Sequence, residues 1–215
     1  MKFILNRPDI SGLEKKYVND VLRSEWLSIN GVHTLKYQKK ISKIINKNFS
    51  LAVQSGTAAL HVALRALGLR RNDKIIIPNY TCVSNISSVS QIGAKPILVD
   101  IENETLGLDF NLVKDAIKKY KPKALQIVHV YGHPARDTEK IISLCKKKKI
   151  KIIEDVSEAL GAIINKKKAG SFGDITVLST RSEKMIGCGE GGVVSTNDKK
   201  LYKNIALIAS RHAPY

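Results

Sequence analysis

Two residues in one stretch of the chain could do covalent chemistry together. Asp155 ends an apolar run as the second of two adjacent acids, and Lys184 stands five positions after Ser179 and five before Gly189-Glu190-Gly191-Gly192. A carboxylate at a strand end can protonate and pin a heteroaromatic nitrogen, and a lysine whose ammonium is partly desolvated becomes a nucleophile and a base. Together they could grip the two ends of one cofactor. Successive side chains on a strand point to opposite faces, so Glu154 and Asp155 do not share one job; one faces a cleft while the other faces away. Taken alone, Asp155 serves equally well as the N-cap of a segment starting at Val156. One lysine among 28 cannot be chosen on its type alone.

A third chemical feature precedes these. Ser55-Gly56-Thr57-Ala58-Ala59-Leu60 follows an apolar run and opens a helical pattern, where free backbone N–H groups and the helix dipole make a seat for phosphate. Gly56 allows close approach of the backbone and the Thr57 hydroxyl can donate. By itself the segment is better explained as an ordinary N-cap with a glycine turn. His129 and His133 flank Tyr131-Gly132 at a strand end and turn, so their spacing does not place them on one helix face, and no third metal ligand is evident. The cluster Gly189-Glu190-Gly191-Gly192 precedes a strand instead of following one, so it is no dinucleotide fingerprint.

The elements that must position these residues alternate. Two helical patterns, Ser11 to Trp26 and Thr34 to Asn46, come first, with Ser11 and Glu14 spaced as a capping box and Tyr17, Val18, Val21 and Leu22 at helical spacing. Strands are then predicted at 51–54, 74–78, 96–100, 125–130 and 150–154, with helices at 57–67, 83–92, 112–119 and 138–148 between them. Such alternation predicts a mostly parallel sheet covered on both faces, with ligands outside the carboxyl ends of the strands. Two further strands, 175–179 and 192–196, are joined by too short a loop for a crossover helix, which predicts an antiparallel partner.

Composition narrows the classes. The 215 residues, 43% hydrophobic, suit one sizeable α/β domain. Met1 to Asn30 is broken by charge, and no apolar run approaches the roughly 18–20 residues of a membrane span, so a soluble, cytoplasmic protein without a membrane partner is expected. Cys82, Cys145 and Cys188 show no CxxC spacing, and buried or incidental thiols are expected. The net charge of +17 raises nucleic acid as a partner, but 28 of the 36 basic residues are lysines spread over nearly every helix, and the runs Lys146 to Lys149 and Lys166 to Lys168 carry no interleaved arginines or aromatics. Lys146 to Lys149 and Lys166 to Lys168 read as solvated faces.

Order and spacing together resemble the large domain of the fold-type I pyridoxal-phosphate enzymes, and more closely the DegT-type nucleotide-sugar aminotransferases. The resemblance runs through Glu14-Lys15-Lys16-Tyr17-Val18, Trp26-Leu27-Ser28 with Gly31, Ser55 to His61, Val128 to Pro134, Glu154 to Gly161 and Gly189 to Gly192, and it covers essentially the whole chain. It implies a three-layer αβα domain with a mostly parallel seven-stranded sheet: an N-terminal helical arm over 1–50, a cofactor-binding large domain over 51–215, and an absent C-terminal small domain. Lys184 would carry pyridoxal 5'-phosphate covalently and shuttle a proton, and Asp155 would keep the ring nitrogen protonated. Gly56, Thr57 and Ser179 would bind the phosphate, with Cys82 and Glu158 beside the cofactor. The implied reaction moves an amino group from an amino acid, usually glutamate, to a nucleotide-linked 4-keto-6-deoxy sugar, as in perosamine-type amino-sugar biosynthesis. A homodimer is implied where the small domain is present.

Three departures accompany the resemblance. Cys82 stands where the family places an aromatic over the ring, so stacking is weaker or comes from Tyr80. Thr180-Arg181-Ser182-Glu183 replaces the usual aromatic and asparagine residues before the lysine. The chain stops at His212-Ala213-Pro214-Tyr215 where relatives continue. The alternative expectation is therefore a truncated, non-catalytic homologue that binds the cofactor weakly or associates with a full-length partner.

Overall fold

The computed structural model describes residues 10–27 and 30–210; Ser28 and the terminal His212 to Tyr215 lie outside that range. Nine strands and seven helices follow one another within it. They begin with α1 (Leu13–Arg23), α2 (Val32–Ile45), β1 (Phe49–Val53), α3 (Gly56–Ala66), β2 (Lys74–Pro78) and α4 (Val83–Gln91). Next come β3 (Lys95–Val99), α5 (Phe110–Tyr120), β4 (Ala124–Val128), α6 (Thr138–Lys147) and β5 (Lys151–Asp155). The last described elements are β6 (Ile163–Ile164), β7 (Lys167–Lys168), β8 (Ile175–Ser179), β9 (Gly192–Thr196) and α7 (Lys199–Ala209). Every predicted strand and helix is present, with ends moved by a few residues.

Seven strands form one sheet in the order β1-β9-β8-β5-β4-β2-β3. The β3-β2-β4-β5-β8 run is parallel, and β9 is antiparallel to both β8 and β1, as the short connection requires. The parallel strands read as continuous apolar runs because both faces are covered, and the pleat sends alternate residues into different cores. Ile75 and Ile77 of β2, Ile153 of β5 and Ile175 and Val177 of β8 pack against α3, α4 and α7. Ile76 of β2, Ile152 of β5, and Leu125 and Ile127 of β4 pack the opposite way, against α5 and α6. Ile41 and Ile45 of α2 close the same side over Leu178 and Val193. The result is the expected three-layer αβα arrangement.

Three local features differ from expectation. The cap of α1 is Gly12, at φ 97°, not Ser11. The Ser11 hydroxyl donates to Glu14, and Glu14 accepts the Gly12 N–H at 2.9 Å, so only the glutamate half of the capping box forms. No residue of α1 is buried, although its apolar spacing is regular; Tyr17, Val18 and Leu22 are exposed. The Lys166 to Lys168 run includes a small hairpin. Asn165 and Lys166 both have positive φ, as a two-residue hairpin turn needs, and Lys167 reaches Glu139 at 2.9 Å. Its lysines are nonetheless exposed.

Candidate active site

The segments that follow β1, β2, β4, β5 and β8 converge on one cavity of about 290 Å³ outside the carboxyl ends of the sheet. All seven residues singled out by sequence, Gly56, Thr57, Cys82, Asp155, Glu158, Ser179 and Lys184, line it.

The first wall is the start of α3. Ser55 caps the helix, its hydroxyl accepting the Ala58 N–H at 3.1 Å. The N–H groups of Gly56 and Thr57 have no partner among the described residues, so two donors at the positive end of an 11-residue helix are free. The Thr57 hydroxyl lies 3.0 Å from Ser84 Oγ. Glycine is needed here for space. A Cβ on Gly56 would stand 2.6 Å from Ser179 Cβ, and one on Gly192 would run into the Ser55 carbonyl. The glycine cluster after Lys184 therefore lets β9 pass tightly beside the helix start. Gly56→Ala is expected to cost about 1–3 kcal/mol, as overpacking does, read as a lower urea midpoint; an unchanged midpoint would mean that α3 shifts freely.

The second wall is the end of β5, where the two acids diverge. Asp155 is 4% exposed and turns to the cavity. Its Oδ1 accepts the Ser157 N–H and its Oδ2 the Asn85 amide, each at 3.0 Å. No ion pair reaches it among the described residues, so this buried carboxylate has neutral donors but no counter-charge. The residues after Asp155 form a turn and not a helix, which removes the N-cap explanation. Glu154 turns the other way, fully buried. It accepts the N–H groups of Gly170, Phe172 and Gly173 and meets His129 Nε2 at 3.1 Å. His129 Nδ1 accepts the Ala135 N–H at 3.0 Å, so both ring nitrogens are engaged with protein.

Lys184 closes the cavity. Its Nζ donates to Glu158 Oε1 at 2.8 Å, and Glu158 Oε2 accepts the Tyr131 N–H at 3.1 Å. Burial pushes the Glu158 carboxyl up, but the Lys184 and Tyr131 hydrogen bonds outweigh it and hold the group below the ordinary glutamate value. Arg181 also lines the cavity and lies 3.5 Å from both Glu183 and Glu190. Cys82 lies on the cavity wall, whereas Tyr80 is not among its lining residues. The Tyr80 hydroxyl lies 3.0 Å from that of Tyr131, and the rings meet edge-on. Of the cysteines only Cys145 is buried, its thiol pushed up to about 12 by burial. No helix among the described residues is long and apolar enough to cross a membrane.

Sequence reasoning missed Asn85, Ser157 and Thr81, which also line the cavity. Asn85 gave no signal, being one polar residue in a serine-rich helix. Ser157 sits two positions after Asp155 and was open to notice.

Known proteins resemble this chain in sequence and in fold. The chain is 40% identical over 203 residues to GDP-perosamine synthase of Escherichia coli O157:H7, a match covering 94% of this chain and 55% of the relative. It is 37% identical to GDP-perosamine synthase of Vibrio cholerae, over 95% and 57%. It thus spans about half the length of these relatives. The crystal structure of an aminotransferase from Psychrobacter cryohalolentis matches with a TM-score of 0.88 at 30% identity, over 94% of this chain and 51% of that one. An Escherichia coli GDP-4-keto-6-deoxy-D-mannose-3-dehydratase with bound hydrated PLP matches with a TM-score of 0.90 at 27% identity, over 97% and 54%. The model of the DegT/DnrJ/EryC1/StrS aminotransferases matches residues 8–213, and the chain belongs to that family.

Proposed function

We propose that this chain is the pyridoxal-phosphate-binding large domain of an aminotransferase that acts on a nucleotide-linked 4-keto-6-deoxy sugar, with an amino acid, glutamate, as amino donor. Residues 1–50 are then an N-terminal helical arm and 51–215 the large domain. The observation that carries the proposal is the convergence of Lys184, Asp155 and the Gly56-Thr57-Ser179 cradle on one cavity. Relatives named GDP-perosamine synthase favour a perosamine-type product.

The residues present fit the cofactor. The free N–H groups of Gly56 and Thr57 and the hydroxyl of Ser179 suit its phosphate, and Gly56, with no side chain, lets Ser179 lie close beside those N–H groups. Asp155, buried without a cation, suits a protonated ring nitrogen. When bound, pyridoxal phosphate supplies an electron sink for the amino group's carbon. Lys184 holds the cofactor and moves the proton at the substrate carbon. Glu158 keeps the ammonium of Lys184 at the cavity wall until it is needed. Cys82, on the cavity wall, would lie beside the cofactor where the family places an aromatic ring.

A cytoplasmic homodimer goes with this reading. The exposed Leu13, Tyr17, Val18 and Leu22 of α1 offer apolar surface suited to a protein partner. Neither nucleic acid nor membrane is proposed as a partner.

A second reading, a homologue that binds cofactor without turnover, is favoured by Arg181. That side chain pairs with Glu183 and Glu190 on the cavity wall, leaving less charge for a substrate. Titration of the purified chain with pyridoxal phosphate, followed by glutamate, separates the two. An absorbance band near the visible edge that glutamate bleaches is expected. A band that glutamate leaves unchanged would favour the second reading, and no band at all would sink the cofactor assignment.

A further inference from the structure

Asn85, the third residue of α4, is 1% exposed and has both polar atoms of its amide engaged. Its nitrogen donates to Asp155 Oδ2 and to Gln126 Oε1, each at 3.0 Å. Its oxygen accepts the Thr81 hydroxyl at 2.9 Å. The orientation is thereby fixed. Turned over, the amide would set its oxygen against both the Asp155 carboxylate and Gln126 Oε1, acceptor against acceptor. Gln126 stands in the middle of an otherwise apolar strand, Ala124-Leu125-Gln126-Ile127-Val128, and its Nε2 is buried without a partner among the described residues. What offsets the cost of a polar side chain there is the grip of its oxygen on Asn85.

We propose that Asn85 is a positioning residue for Asp155. It aims the carboxylate into the cavity and stabilises its ionised form, so that the proton shared with a bound ring nitrogen stays on the nitrogen. This rests on the pyridoxal-phosphate reading above. Donation to a carboxylate favours its charged state, and a charge-assisted bond in a dry site is among the stronger ones. Ser157 N–H holds the other oxygen, so the carboxylate cannot rotate without breaking one of two bonds. Without Asn85 the carboxylate loses one of its two donors and is freer to swing. The nitrogen then gives its proton to Asp155 or to solvent; no other bond changes. The titratable groups sharing the cavity with Asp155 are Cys82, His129, Glu158, Arg181, Glu183, Lys184 and Glu190, and the substitutions below leave all of them in place.

The test loads the 215-residue chain with pyridoxal phosphate carrying nitrogen-15 in its ring and reads that nitrogen's chemical shift at neutral pH. The pyridinium position is expected for the wild type. Asn85→Leu is expected to move the signal towards neutral pyridine and to weaken affinity about tenfold, the loss of one hydrogen bond to a charged group. Gln126→Met, an apolar change in an apolar strand, is expected to move it less in the same direction, and it decides the matter if melting of the apo chain shows Asn85→Leu unfolded. Asp155→Asn serves as the control. If it moves the signal while folded Asn85→Leu and Gln126→Met keep the wild-type position, the positioning role is overturned and the site reading stands. If the wild type binds no cofactor, or Asp155→Asn leaves the signal unmoved, the site reading falls and takes this inference with it.

Discussion

Lys184→Ala is expected to abolish the absorbance band of the cofactor-loaded chain and to slow any glutamate half-reaction by about 10⁴-fold, the upper range for a positioned proton-transferring group. The residue is one of 28 lysines, so the claim needs a contrast within the molecule. Among the described residues Lys184 is the one lysine that lines the cavity, with its ammonium 2.8 Å from Glu158 and its side chain 16% exposed. Lys184→Arg supplies that contrast. A guanidinium keeps the positive charge and can keep the pairing with Glu158, but it stays protonated and is neither nucleophile nor base. If Lys184 acts through its charge alone, the arginine variant retains the band and part of the rate. If it acts through its nitrogen lone pair, both variants lose the band, while the arginine variant keeps the melting temperature of the apo chain. We expect the second outcome. A band surviving in Lys184→Ala would remove this lysine from the chemistry.

How much of this was legible in the sequence depends on the distance over which each signal acts. The sheet was legible because the runs 75–78, 124–128 and 152–153 are buried and, but for Gln126, apolar, and such burial writes itself locally. Asp155 was open to notice because a parallel sheet brings the ends of its strands to one edge, whereas Lys184 was singled out from 28 lysines only by the order and spacing that resemble a known family. Asn85 was not. Its partners Gln126 and Asp155 lie 41 and 70 residues away, and nothing local separates it from the serines around it. Lys47 was equally hidden. In so lysine-rich a chain it looks like any other, yet it is 6% exposed, and its Nζ donates to the carbonyls of Ser171 and Gly173. The capping box at Ser11 failed for a different reason. Gly12 adopts positive φ, a backbone choice that moves the cap by one residue without changing the pattern around it.

Glu154 carries the largest expected effect on the fold. Its Oε1 faces Gly170 N–H and His129 Nε2, and its Oε2 faces the N–H groups of Phe172 and Gly173. Lys47 takes two carbonyls of the same loop, so the 170–173 segment is gripped by its donors on one side and its acceptors on the other. Glutamine in place of Glu154 has the same shape but cannot satisfy this arrangement. In either orientation its NH₂ group meets two donors. Glu154→Gln is therefore expected to cost about 3–5 kcal/mol, as loss of one partner from a buried charged network does, and to lower the melting temperature by roughly 6–20 °C. The pH dependence supplies the sign. Burial pushes the Glu154 carboxyl up, but hydrogen bonds from His129, Gly170 and Gly173 outweigh it, so its folded value lies below the ordinary one. Its stabilisation is then complete above the unfolded value of about 4.3 and fades as the pH falls through the folded value. The stability gap between wild type and Glu154→Gln should thus narrow below about pH 4; a gap that stays constant in acid would mean that charge is not what holds the loop. Because Glu154 and Asp155 are neighbours on β5, loosening one also unsettles the aim of the other, and cofactor affinity is expected to fall in the same variant.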